Sequence, residues 1–265
     1  MKLQTLIISL IPLLFFGCAS SKLSQTVQKK EPLHVAMATN YPPLAFKENG
    51  VVKGIEVDLA RLLAKELNRD LIIDESEWKQ LPNLLESSYV NIVMSGVSIT
   101  KKRSEMVLFS NPFMKVSQMA LLREGVQAPN TATLGMGKRI GYSKGTTGEL
   151  FVKKAFSLAK HKAYKNLRFG IAALLNEEID YFFHDSPAIW HYSTQNSIEN
   201  LMGWYVPYTD EHIAWALNSN DYALKKRVDA IILKWQADGT FSRVFNRWIP
   251  SRASLLPNGK LISFE

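Results

Sequence analysis

The chain has one cysteine, Cys18, so no disulfide can form within it. Histidine is also scarce: His34, His161, His184, His191 and His212 lie far apart or without a partner at ligand spacing. No zinc-type site and no cofactor are therefore expected. Basic residues outnumber acidic ones, 32 against 24, for a net charge of +8 over 265 residues. They are scattered, however, and no basic stripe is interleaved with aromatics, which argues against a nucleic-acid partner. The Lys144-Gly145-Thr146-Thr147-Gly148 stretch lacks the order of a phosphate-binding loop, because its lysine precedes the turn. The run from Leu6 to Phe16 is too short for a typical membrane-spanning helix. With Lys2 before it and small residues after it, it reads as a secretory signal over residues 1–17.

The signal ends in Leu14-Phe15-Phe16-Gly17-Cys18, which resembles a bacterial lipobox. Cys18 is then the lipidated first residue, although Phe15 departs from the smaller aliphatic residue usual there. Residues 18–32 are polar and end at Pro32, the pattern of a tether between lipid and folded protein. The expected location is periplasmic or cell-surface, with the membrane reached through the lipid anchor.

The rest of the chain alternates strands and helices, an α/β pattern. A strand over 33–38 runs into Tyr41-Pro42-Pro43, and Asn49-Gly50 marks a hairpin turn. From Gly54 a helix is predicted, with Ile55, Leu59, Leu62, Leu63 and Leu67 on one face and Glu56, Arg61 and Lys65 away from it. The central stretch is Asn91–Phe113. Ile92-Val93-Met94 reads as a buried strand, and Ser95-Gly96-Val97-Ser98 would allow close backbone approach to a ligand. Thr100 is placed to cap a turn that presents Arg103. Taken alone, Arg103 reads as one more solvated charge in a Lys-Lys-Arg run. Trp78 is equally readable as core or as a ligand platform.

In the second half, Arg139–Tyr142 is a strand, and Thr146 or Thr147 caps the helix after it. Bare N–H groups there suit an anion. The strand 179–183 ends in His184-Asp185-Ser186-Pro187. Asp185 is either a plain helix cap or an anion facing a cleft able to hold an ammonium group. Further strands are expected at 202–206 and 212–217, and helices at 223–235 and 239–248.

In this order, Tyr41-Pro42-Pro43, Gly54–Leu67, Trp78, Ser95–Arg103, Phe109–Phe113, Gly145–Gly148, Asp180 with Asp185, and His212–Leu217 resemble bacterial extracellular solute-binding proteins of family 3. These proteins capture polar amino acids for ABC importers. The resemblance implies a type II periplasmic-binding-protein-like fold: two α/β lobes joined by two crossover strands, placed at Ser117–Leu122 and His212–Leu217. Lobe I would comprise 33–117 and 217–250, lobe II 123–211, and 251–265 a C-terminal tail.

It also implies that Arg103 clamps the ligand carboxylate, with donors from Gly96, Ser98 and Thr147. Asp185 takes the ammonium, and Tyr41 and Trp78 pack on the side chain. Relatives of cationic ligands often carry an acid where this chain has Ala38, so a neutral or aromatic ligand is expected. The implied partners are a small amino acid and an ABC permease, and the protein is expected to be a monomer. The alternatives on the same fold are a prephenate or arogenate dehydratase, with Glu149 or His184 as general acid, and a ligand-sensing module.

Overall fold

The computed structural model describes residues 31–194 and 200–249. The signal, Cys18, the tail and all but the last two residues of the tether lie outside the described residues.

Two five-stranded sheets organise the chain. In the first, the order is Leu71–Glu75, Leu33–Met37, Ile92–Val93, Ala216–Leu217 and Leu108–Phe109. In the second it is Lys160–Tyr164, Arg139–Ser143, Tyr181–Asp185, Gln118–Arg123 and Leu201–Trp204. Each sheet opens with three parallel strands in which the earliest lies in the middle, and the fourth strand then runs antiparallel to the third. The two sheets form two lobes with one plan.

The helix Ile55–Leu67 covers the first sheet with the face the periodicity predicted, and Asn68 ends it in a left-handed conformation (φ 52°). The Tyr222–Ala237 and Thr240–Trp248 helices return to pack against it. Glu56 departs from the expected pattern: it is wholly buried. Its carboxyl group turns into the lobe and accepts a hydrogen bond from the Gly96 N–H at 2.7 Å, so its place in the first helical turn did not set its exposure.

The connection between the lobes also differs from the sequence reading. Gln118–Arg123 is a central strand of the second sheet, antiparallel to Tyr181–Asp185, with its first five residues buried. An apolar strand of this kind belongs inside a sheet covered on both faces. The antiparallel ribbon that joins the lobes is instead Met114–Val116 with Glu211–Ile213, whose alternating burial in Met114–Val116 suits a one-sided ribbon. The expected strand 212–217 is two pieces. Between them the Ala214 N–H turns to Val97 O and the Trp215 N–H to Ser110 Oγ, while the Trp215 ring enters the lobe I core. Lys160–Tyr164 was not anticipated, because it is a lysine-rich edge strand with little burial.

Candidate functional site

In both sheets the functional side chains follow the carboxyl ends of the parallel strands, where open α/β sheets bind ligands. From lobe I come Tyr41 after Leu33–Met37, Trp78 after Leu71–Glu75, and Gly96, Ser98 and Arg103 after Ile92–Val93. From lobe II come Thr147 after Arg139–Ser143 and Asp185 at the end of Tyr181–Asp185. All seven line one cavity between the lobes, together with Ala38, Asn40, Ser143, Lys144, Asn166 and His184 among others.

Arg103 is held as the local sequence requires. Thr100 Oγ1 accepts from the Arg103 N–H at 3.2 Å and caps the short Lys101–Ser104 helix. The guanidinium donates to Ser98 O at 2.9 Å and, across the cleft, to Gly145 O at 3.3 Å. It lies 5.3 Å from the Trp78 ring centre, and Trp78 Nε1 donates to the same Gly145 carbonyl at 3.3 Å. Burial lowers the Arg103 pKa, opposed by the negative charges of Asp185 and Glu211.

Asp185 is buried among groups from distant parts of the chain. Tyr41 Oη donates to Oδ2 at 2.6 Å, and Gln118 Nε2 donates to Oδ1. Burial, followed by the charge of Glu211, pushes its pKa up to about 7. The two hydrogen bonds and Arg103 oppose that shift. Beside it, His184 packs edge-on to Tyr41 at 4.7 Å, and burial lowers its pKa to about 4. His184 is thus neutral at pH 7. Arg103 and Asp185 make no ion pair with each other; each is satisfied by neutral groups.

Gly96 is in place but not as the expected backbone donor. Its N–H goes to Glu56, and it lines the cavity without offering that donor to it. With φ at +64° and a Cβ that would fall 2.4 Å from Tyr41 Cε1, only glycine fits there. Thr146, not Thr147, is the cap of the Thr147–Ala155 helix, accepting from the Glu149 N–H. Thr147 Oγ1 accepts from Gln118 Nε2 at 3.3 Å.

Three further residues were not singled out from the sequence. Gln118 binds Asp185, Thr147 and Glu211 through one amide nitrogen, and it is the polar residue that opens a strand apolar from Met119 to Leu122. Glu211 begins the ribbon strand Glu211–Ile213 and keeps one buried oxygen unpaired. Ser143 ends its strand with a buried, unpaired hydroxyl at the cavity wall. Among the described residues, no group of three or more His, Cys, Asp or Glu is arranged to hold a metal. No helix among them is long and apolar enough to cross a membrane.

Residues 33–251 match the family model for bacterial extracellular solute-binding proteins, family 3. The ABC transporter glutamine-binding protein GlnH of Bacillus subtilis is 24% identical over 208 residues, 76% of this chain and 74% of that protein. The arginine-, lysine-, histidine-binding protein ArtJ of Geobacillus stearothermophilus superposes with a TM-score of 0.77 at 25% identity, covering 82% of this chain and 95% of that one. An ancestral amino acid-binding protein, a precursor of cyclohexadienyl dehydratase, gives a TM-score of 0.75 at 26% identity over 82% and 94% of the two chains. With the family model spanning most of its length, the two-lobed chain belongs to the bacterial extracellular solute-binding proteins, family 3.

Proposed function

We propose that the protein captures a zwitterionic α-amino acid outside the cytoplasm and delivers it to an ABC permease, held at the membrane by a lipidated Cys18. The lobes divide as 33–113 with 214–249 against 117–210, with the Met114–Val116 and Glu211–Ile213 ribbon between them. The carrying observation is that Arg103 and Asp185 line one cavity from opposite lobes without pairing with each other. A ligand bearing both opposite charges satisfies both residues and links the lobes through them.

In this role Arg103 takes the α-carboxylate, assisted by Ser98 and Thr147. Asp185 takes the α-ammonium, displacing or sharing Tyr41 Oη. Tyr41 and Trp78 flank the side chain, and Gly96 leaves room for the Tyr41 ring that does so. Ala38 lines the cavity, and Asp185 is the one carboxylate among the lining residues, against Arg103, Lys144 and Lys165. A cationic side chain would find no countercharge there, which favours a neutral or aromatic amino acid. Calorimetric titration of the twenty amino acids tests this reading. A neutral or aromatic amino acid binding tightest supports it; arginine or lysine binding tightest overturns the side-chain assignment.

The dehydratase reading draws support from one feature, an acid in the cleft that is partly protonated at pH 7. Its other candidates are weaker. His184 is neutral, and the Glu149 carboxylate accepts from the Gly145 N–H and from Lys153. Incubation with prephenate is expected to give no phenylpyruvate.

A further inference from the structure

A second, larger cavity adjoins the zwitterion site. It has a volume of about 660 Å³, against about 40 Å³ for the space between Arg103 and Asp185. Asn40, Trp78, Arg103, Lys144, Lys165 and Asn166 line both, so the two are adjoining compartments of one cleft, and the bonds of Trp78 and Arg103 to Gly145 O form part of the partition between them. The volume lies within the range of small-molecule sites, roughly 300–1,000 Å³.

The lining of this second cavity is a poor match for a free amino acid. Its floor is aliphatic, with Leu81, Leu85, Val93 and Val97 from lobe I, all buried side chains of one satellite cluster. Met106, Val107, Phe109 and Tyr164 also line it. Its charged residues are of mostly one sign: Lys79, Arg103, Lys144 and Lys165 against Glu77 alone. Glu77 is already engaged, 2.5 Å from Lys165 and 3.6 Å from Lys79. Lys144 makes no ion pair among the described residues.

We propose that this cavity is a second binding site, for an aliphatic carboxylate of medium chain length. The chain lies on the Leu81, Leu85, Val93 and Val97 floor, and the carboxylate meets the ammonium groups of Lys79 and Lys144. The physical reason is complementarity in two parts. Burial of an aliphatic body against the floor supplies about 25 cal/mol per Å² of apolar area. The excess of cations then selects an anionic head over a neutral or cationic one. With Glu77 engaged by Lys165 and Lys79, the uncompensated charge of this compartment is positive, which suits an anion rather than a zwitterion, and the inference does not rest on the amino acid reading.

The test is calorimetric titration of the intact chain with decanoate, decan-1-ol and decylamine. Saturable decanoate binding at least tenfold tighter than either of the others is expected. Val107→Trp, which fills the cavity from a residue outside the zwitterion site, is expected to weaken decanoate at least tenfold and to leave amino acid binding unchanged. Lys79→Glu reverses an exposed charge without touching the core and is expected to weaken decanoate about three- to fivefold. If Val107→Trp perturbs folding, Lys79→Glu decides alone. The proposal fails if decanoate does not saturate, if decan-1-ol or decylamine binds as tightly, or if Lys79→Glu leaves the affinity for decanoate unchanged.

Discussion

The two halves of the cleft follow the same sheet plan but hold their charges differently. On the lobe I side, Arg103 takes its two nearest bonds from neighbours in sequence, the Thr100 cap and the Ser98 carbonyl within five residues of it, and only the longer bond to Gly145 O reaches across the cleft. On the lobe II side, Asp185 is fixed by Tyr41, 144 residues away, and by Gln118, 67 residues away, with Glu211 close enough to repel it. A guanidinium keeps its charge at any working pH, so local backbone acceptors are enough for it. A buried carboxylate keeps its charge only where partners offset desolvation, and here that balance sits near neutral pH. Sensitivity to pH should therefore reside in one half of the site.

The strongest test of this contrast is removal of each charge. Arg103→Ala and Asp185→Ala are each expected to cost on the order of 3–5 kcal/mol of amino acid affinity, measured by calorimetry. Normal binding by both variants would break the assignment of the site. Next in size is Gly96→Ala. Its Cβ would overlap the Tyr41 ring at a left-handed backbone position, and a loss of roughly 1–3 kcal/mol in folding stability is expected by chemical denaturation.

The pH dependence sharpens the contrast further. The ammonium of a ligand needs Asp185 ionised, so affinity should fall as pH drops below about 7, approaching tenfold per unit. Glu211→Gln removes the repelling charge and should move that midpoint to lower pH; an unmoved midpoint would show that Glu211 is not felt at Asp185.

Stability of the ligand-free protein should run the other way. The pKa of Glu56 is raised by burial from 4.5 to about 8, so the folded chain keeps a proton that the unfolded chain releases. The resulting stabilisation is complete below pH 4.5 and is lost as pH rises through 8. Thermal melts of Glu56→Gln should show a flatter pH slope over that window. The smallest effect belongs to the exposed Glu77–Lys165 pair across the cleft. Lys165→Ala should change amino acid affinity by less than about fivefold, measured by calorimetry.

Much of this was legible in the sequence because its causes are local. The Ile55–Leu67 face, the Asn49-Gly50 turn and the Thr100 cap each depend on residues a few positions apart. The seven residues that the family resemblance singled out as contacts share one cavity because each lies at or after the end of a strand. Other features were not legible. Glu56 occupies a helix position that periodicity assigns to the outside, yet the Gly96 amide draws it in. Gln118 reads as the edge of an apolar strand, and its tie to both Asp185 and Glu211 exists only once three segments meet.

The sequence by itself determined the elements, their order and the residue types able to meet a zwitterion, because hydrophobic period, caps and turns act over a few residues. The tertiary structure alone decided that Met114–Val116 and Glu211–Ile213 join the lobes, that Asp185 titrates near neutral pH, and that a large apolar space lies behind Trp78. Each of these depends on desolvation and packing between segments far apart in the chain, and neither quantity exists before the chain has folded.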